Sequence, residues 1–149
     1  MATKVKIETA KGTMIAELYD NETPITVNNF KKLIGEGFYN GLNFHRVIPN
    51  FVIQGGCPNR NGSGGPGYTI QCECTPGMRT PKQFHERGVL SMAHAGRNTG
   101  GSQFFICYDR AGTQHLDSHH TCFGKVIEGL EVINLIQAGD SIIEISIID

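Results

Sequence analysis

The residues with most to offer chemically lie in one stretch, Phe44-His45-Arg46-Val47-Ile48-Pro49-Asn50-Phe51-Val52-Ile53-Gln54-Gly55-Gly56. Two short β-rich runs flank Pro49-Asn50, a pair suited to a type II turn. Proline presets φ at the first central position and asparagine tolerates a positive φ at the second. A two-residue loop pairs Ile48 with Phe51 and sends Arg46 and Gln54 to opposite faces, since side chains alternate along a strand. A three-residue loop that absorbs Phe51 pairs Ile48 with Val52 and Arg46 with Gln54. The second register is preferred, because it sets a guanidinium and a primary amide side by side with Phe51 free at the rim. The guanidinium stays charged at working pH and presents its donors in a rigid fork. A fixed cation beside an apolar wall has the makings of a site.

Other chemistry-bearing residues carry less. Residues 59–67 contain Gly62-Ser63-Gly64-Gly65-Pro66-Gly67, formally a phosphate-cradling G-x-G-x-x-G. That reading needs a helix to open right after the glycines, and Pro66 and the strand-like Tyr68-Thr69-Ile70 stand there instead, which excludes a nucleotide loop. His115 and His119 are one helical turn apart, and Cys72 and Cys74 are soft ligands, but their spacing matches no standard zinc site, so no metal is expected. The five cysteines form an odd set in a chain of ordinary size, which reads as free thiols in a reducing cytoplasm rather than a disulfide framework. Taken singly, Arg46 reads as a surface charge and Phe51 and Phe105 as core. Gln103 alone reads as satisfying backbone in a turn, and Gly62 as present for its φ angle. His45, His85 and His94 read as ordinary histidines.

A sheet must position the Arg46–Gln54 pair. Residues 4–9 and 13–19 alternate in polarity and read as strands joined near Lys11-Gly12. Thr23 before Pro24 predicts a helix start, with a capping hydroxyl and then proline at the first helical position. Val27, Phe30, Leu33 and Ile34 recur at helical spacing, and Gly35 and Gly37 stop the run. Residues 72–87 read mostly as loop, punctuated by Pro76-Gly77 and Pro81. Residues 89–93 read as a strand, and a turn-rich segment leads into Gln103-Phe104-Phe105-Ile106-Cys107. Alternation there puts Gln103 and Phe105 on one face and Phe104 and Ile106 on the other, one pair for the core and one for a groove. Residues 115–120 suggest a short helical turn, 121–127 a strand, and Leu130, Ile133, Leu135 and Ile136 a second amphipathic helix ended by Gly139. Residues 141–148 form a closing strand able to pair with the first.

The chain of 149 residues is expected to form one domain, residues 1–149. Its 19 glycines and few helix-period stretches favour a mainly β architecture, and roughly eight strands with two α-helices suggest a closed antiparallel barrel, since closure removes exposed edges. A net charge of −1 gives no general electrostatic reason to bind nucleic acid or an anionic membrane. The first eight residues alternate charge with apolar side chains, unlike a signal peptide, and no run approaches a membrane span. A soluble monomer is expected.

Three segments together resemble the cyclophilins, a family of peptidyl-prolyl isomerases. They are the stretch from Phe44 to Gly56 quoted above, then Ser91-Met92-Ala93-His94-Ala95-Gly96-Arg97-Asn98-Thr99-Gly100-Gly101-Ser102-Gln103-Phe104-Phe105-Ile106, then Leu116-Asp117 through Phe123-Gly124-Lys125-Val126. Order and spacing match as well, and the resemblance runs from about Lys4 to Ile148. It implies a closed eight-stranded antiparallel barrel capped by two α-helices, with a shallow external groove, and catalysis of X-Pro isomerisation without a cofactor. By matching position, Arg46 resembles the catalytic arginine, with Gln54 to aim it and Phe51 beside it. Phe51, Val52, Phe105, Leu116 and His120 resemble the proline pocket, and Gln54, Gly62, Ala93, His94, Ala95 and Gln103 the groove on either side.

Three positions depart from the commonest pattern. Val52 stands where methionine is usual, which makes the pocket shallower. His94 stands where asparagine is usual, at a position that grips substrate through its backbone. His115 stands where tryptophan is found in tight cyclosporin binders, so cyclosporin binding is expected to be weak. The implied partners are proline-containing peptides and folded or unfolded protein clients. The alternative is a module that binds proline peptides without turning them over. His94 and His115 also raise the question of a pH-dependent rate.

Overall fold

The computed structural model describes residues 2–74 and 81–148. Pro76-Gly77, expected to punctuate the loop after Cys74, lie outside them. Eleven elements matter here: β1 (Lys4–Thr9), β2 (Gly12–Leu18), α1 (Pro24–Gly35), β3 (Arg46–Ile48), β4 (Val52–Gly55), β5 (Val89–Met92), β6 (Phe104–Cys107), α2 (Arg110–Thr113), β7 (Cys122–Glu128), α3 (Leu130–Leu135) and β8 (Ile142–Ile147). The strands form one antiparallel sheet in the order β3-β4-β6-β5-β7-β2-β1-β8. β8 pairs with β1, Ile7 facing Ile145, as the closing strand was expected to do.

The eight strands curl into a half-barrel whose ladder stops short of full closure. Among the described residues no ladder joins β3 to β8. The seam is bridged instead by irregular backbone before each edge: Gly41 and Phe44 N–H donate to the Ile142 and Asp140 carbonyls, and Ile142 and Gly139 N–H donate to those of Leu42 and Phe44. Both edges are thereby covered without a regular strand pair.

Inside the curl Val5, Ile7, Met14, Leu18, Phe104, Ile106, Ile142 and Ile145 pack with Val27, Phe30 and Leu33 of α1 and Ile133 of α3. Phe30 lies 5.5 Å from Phe104 and 5.0 Å from Phe123, both edge to face. A second cluster covers the outer side of β4, β6 and β5: Val52, Phe105, Cys107, Cys122 and Val89, with Phe51, Ala93 and Leu116 against it. Strands β5 and β6 are therefore buried on both faces.

Helix ends differ in how local they are. After α1, Gly37 takes φ +70° while Gly37 and Phe38 N–H donate to the Ile34 and Leu33 carbonyls, a Schellman closure that needs glycine's freedom. At its start the expected Thr23 cap is not made, because the Thr23 hydroxyl donates to the Tyr19 carbonyl. The free N–H groups of Ile25 and Thr26 donate to the buried carboxylate of Glu73 at 3.1 and 2.7 Å. α3 ends at Leu135, short of Gly139, where Ile136 turns extended. The helical turn expected over 115–120 begins earlier: Asp109 caps α2 through Gly112 N–H at 2.7 Å, and a 3-10 turn, Gln114–Leu116, follows. Of the strand-like run 68–70, only Ile70 makes a bridge, to Gly100.

Candidate active site

The hairpin of β3 and β4 takes the three-residue loop. Arg46 faces Gln54 and Ile48 faces Val52, while Asn50 sits at φ +65° and Phe51 N–H donates to the Ile48 carbonyl at 3.0 Å. The register continues across the sheet, with Gln54 opposite Phe105, Phe105 opposite Ser91, and Ser91 opposite Cys122. Directly paired residues share a face, so Arg46, Gln54, Phe105, Ser91 and Cys122 form one transverse row on the outer face of five strands.

Side-chain amides tie this row to the neighbouring loop. Arg46 Nη1 donates to Gln54 Oε1 at 3.2 Å, and Gln54 Nε2 donates to Gln103 Oε1 at 3.2 Å. Gln103 Nε2 donates in turn to the Gly62 and Gly64 carbonyls, each at 2.9 Å. Gly62 holds φ +91°, a conformation that favours glycine, so its backbone role and its place at the groove coincide. The exposed Arg46 head group lies 6.0 Å from the Phe51 ring centroid, held at the rim while its outer donors face solvent.

Beside it is a hollow of about 230 Å³ lined by Arg46, Phe51, Val52, Gln54, Ala93, His94, Phe105, Leu116 and His120. A second hollow, of about 340 Å³, shares Gln54, Ala93 and His94 and adds Gly62, Ala95 and Gln103. All twelve residues singled out from the sequence thus line one two-part groove. Val52 and Phe105, 1% and 4% exposed, make its floor.

The imidazoles in the wall are held by backbone. His120 Nδ1 lies 2.8 Å from the Met92 carbonyl, which only accepts, so Nδ1 carries the hydrogen. Burial pushes the His120 pKa down to about 4, with its contact to the Met92 carbonyl opposing and nearby histidines assisting, so this wall is neutral near pH 7. His94 stacks on it, ring centroids 4.1 Å apart, with Nε2 at the His119 carbonyl and Nδ1 receiving Gly96 N–H. His115 stacks on the outer side of Phe51 at 5.7 Å.

Such a site can offer a permanent cation over an apolar cup. In its wall His120 is held neutral near pH 7 and brings no charge to the cup. Cys72 Sγ accepts Asn98 N–H at 3.1 Å and Cys74 Sγ faces the Ser118 carbonyl at 3.6 Å. Among the described residues no three His, Cys, Asp or Glu side chains converge as a metal site. Sequence reasoning missed His85, Arg110 and Asp117 beneath the cup. His85 and Asp117 are 32 residues apart and share no motif. The local pattern Gln83-Phe84-His85 points the other way, since the two polar side chains are buried and Phe84 is exposed.

Comparison with known proteins agrees with the geometry. Residues 4–146 match the family model described as cyclophilin type peptidyl-prolyl cis-trans isomerase. A Synechococcus elongatus peptidyl-prolyl cis-trans isomerase is 51% identical over 98% of this chain and 97% of its own length. Peptidyl-prolyl cis-trans isomerase B of Bacillus subtilis is 55% identical over 88% of this chain and 87% of its own. A crystal structure of a Cryptosporidium parvum cyclophilin superposes with a TM-score of 0.88 at 33% identity, covering 100% of this chain and 99% of that one. That protein was also crystallised in the presence of the dipeptide Ala-Pro, and this second structure has a TM-score of 0.86 at 34% identity, covering 98% of this chain and 99% of that one. With the Arg46 row, the apolar cup and these matches in agreement, the chain belongs to the cyclophilin-type peptidyl-prolyl cis-trans isomerases.

Proposed function

We propose that the groove holds an extended X-Pro segment and speeds rotation about its prolyl bond, with Arg46 as the electrostatic catalyst. Amide resonance sets a barrier of about 18 to 20 kcal/mol to that rotation, and no bond is broken in crossing it. The enzyme needs a site that fits the twisted amide better than either planar isomer. In the twisted form the prolyl nitrogen regains a lone pair, so a donor aimed there is bonded only in transit. Arg46 is that donor and Gln54 aims it. Phe51, Val52, Phe105, Leu116 and His120 clamp the pyrrolidine, while Gln103, Gly62, Ala93, His94 and Ala95 carry the chain to one side. The observation that carries this reading is the Arg46–Gln54 bond of 3.2 Å on the same face as Phe51 and Phe105.

The partners proposed are proline-containing peptides and protein clients whose folding waits on the uncatalysed step of about 10 to 100 s. Five free thiols support a reducing compartment such as the cytoplasm. Cyclosporin is proposed to bind weakly, since His115 offers less apolar surface than an indole beside Phe51. NMR exchange spectroscopy on a short Ala-Pro peptide tests the function. Enhanced cis/trans exchange at substoichiometric protein is expected. Saturable binding without exchange enhancement means a non-catalytic binding module.

A further inference from the structure

Beneath the cup lies a buried polar assembly that the mechanism above does not use. His85 is 0% exposed, and its ring touches three separate elements. Nδ1 lies 2.9 Å from Asp117 Oδ1 and Nε2 2.8 Å from Ser91 Oγ. The ring stacks on Phe105 at 6.0 Å with an interplanar angle of 17°, and meets His120 edge-on at 6.5 Å. Asp117 Oδ1 also accepts His85 backbone N–H at 2.8 Å. Arg110 then closes a circuit, donating from Nη2 to Asp117 Oδ2 at 2.9 Å and from Nη1 to the His85 carbonyl at 3.0 Å.

The order Ser91, His85, Asp117 has the outline of a hydrolase triad. With Ser91 and His85 both fully buried, no substrate reaches the hydroxyl, so the arrangement does other work. Burial alone would raise the Asp117 carboxyl, but the Arg110 guanidinium and the His85 N–H groups outweigh it and hold the carboxyl below its usual range. An ionised carboxylate only accepts, so His85 Nδ1 carries the hydrogen, while Nε2 lies 2.8 Å from the Ser91 hydroxyl, which also reaches the Thr121 carbonyl at 3.2 Å. The Asp117 contact thus fixes one tautomer of the ring, and Ser91 faces its other nitrogen.

We propose that His85 is a positioning residue for isomerisation: a locked plate that fixes Phe105 and ties the segment carrying Leu116 and His120 to the sheet. Ser91 and Phe105 are direct neighbours in the transverse row that ends at Arg46, so the plate sits against the inner end of that row. A fully buried polar ring whose nitrogens both find partners is costly to reorient, because either partner left alone loses its hydrogen bond inside the protein. Phe105 consequently presents a fixed face to the prolyl ring. This rests on the reading of the groove as the isomerase site, and the unmodified protein's own catalysed exchange tests that reading separately.

The test uses the full chain and two variants. His85→Phe keeps an aromatic plate but removes both hydrogen bonds. Asp117→Asn keeps the shape and leaves an oxygen for His85, but turns an amide NH2 toward Arg110 and removes the charge that both groups face. Unfolding midpoint, kcat/KM on an Ala-Pro peptide and ring 13C signals of Phe105 are measured on each, and side-chain 15N shifts of His85 on Asp117→Asn. For His85→Phe a fall in kcat/KM of about tenfold is expected on folded protein, well inside the hundredfold that a misplacement of about 1 Å can cost. The Phe105 signals shift or broaden with it. If His85→Phe does not fold, Asp117→Asn decides, with a several-fold loss and shifted Phe105 signals expected. A rate within twofold of the unmodified protein, or a loss with Phe105 signals unmoved, overturns the proposal. Absence of catalysed exchange in the unmodified protein overturns the isomerase reading instead.

Discussion

At the scale of residues, what distinguishes Arg46 is its company. An exposed arginine on a short strand is ordinarily a solvated charge, but here Nη1 is held by Gln54, Gln54 by Gln103, and Gln103 by two loop carbonyls. That chain removes rotamer freedom before substrate arrives, which is the condition for electrostatic stabilisation at low reorganisation cost. Pro49-Asn50 and strand alternation narrowed the pairing to two registers, and the one that sets Arg46 beside Gln54, preferred for the site it makes, is the one formed. His85 was not legible, since its partners come from three distant segments. His115 gives a prediction at this scale. His115→Trp adds apolar area and an N–H donor beside Phe51, so cyclosporin affinity is expected to rise at least about tenfold, worth about 1.4 kcal/mol. Titration calorimetry on both proteins checks it, and equal affinities contradict it.

At the scale of elements, short strands work because neighbours lock them. β3 has only three residues, yet its register passes through β4 to β6 without a shift, so one hairpin turn fixes which side chains face the groove. The end of α1 was readable in Gly37, whose positive φ is a local requirement. Its beginning at Thr23-Pro24 was readable as well, but the group that caps it was not, because the cap comes from Glu73, 47 residues beyond Thr26. Glu73 receives Ile25 N–H, Thr26 N–H and the Thr26 hydroxyl, with a carboxylate at the positive end of a helix dipole. Glu73→Ala is expected to cost about 2 kcal/mol in urea unfolding, the upper end for a lost cap. The folded fraction should keep its isomerase rate, since Glu73 is not in the groove. A loss under about 0.5 kcal/mol would mean that the cap contributes no more than ordinary surface contacts do.

At the scale of the whole molecule, a barrel with a continuous apolar interior leaves its outer face free to carry function, and here that face has its own small core. The price is a set of wholly or partly buried histidines there and nearby. Burial lowers His120 to about 4 and also lowers His85 and His45 below their usual 6.5. A depressed histidine binds its proton in the unfolded chain first, so stability is full above about pH 6.5 and declines as pH falls toward the folded-state values. Asp20, Asp117 and Asp140 are depressed as carboxylates, so their contribution is present above the ordinary 3.8 and is lost only below it. The unfolding midpoint should be level between pH 7 and 8 and drop steadily from about pH 6.5 to 4, with a shallower drop in His120→Gln. A midpoint constant down to pH 5 contradicts this. The curl of the sheet was readable from strand count and pattern, whereas its incomplete seam was not, because backbone bonds around Leu42 and Asp140 leave no mark in side-chain periodicity. The central claim, that a fixed guanidinium meets the prolyl nitrogen only in the twisted state, is tested most directly by the exchange rate of an Ala-Pro peptide with Arg46→Ala. Because Arg46 is exposed, the variant should fold normally and lose about 100-fold in kcat/KM, roughly 3 kcal/mol, with peptide affinity little changed. A rate within a few-fold of the unmodified protein would contradict the account.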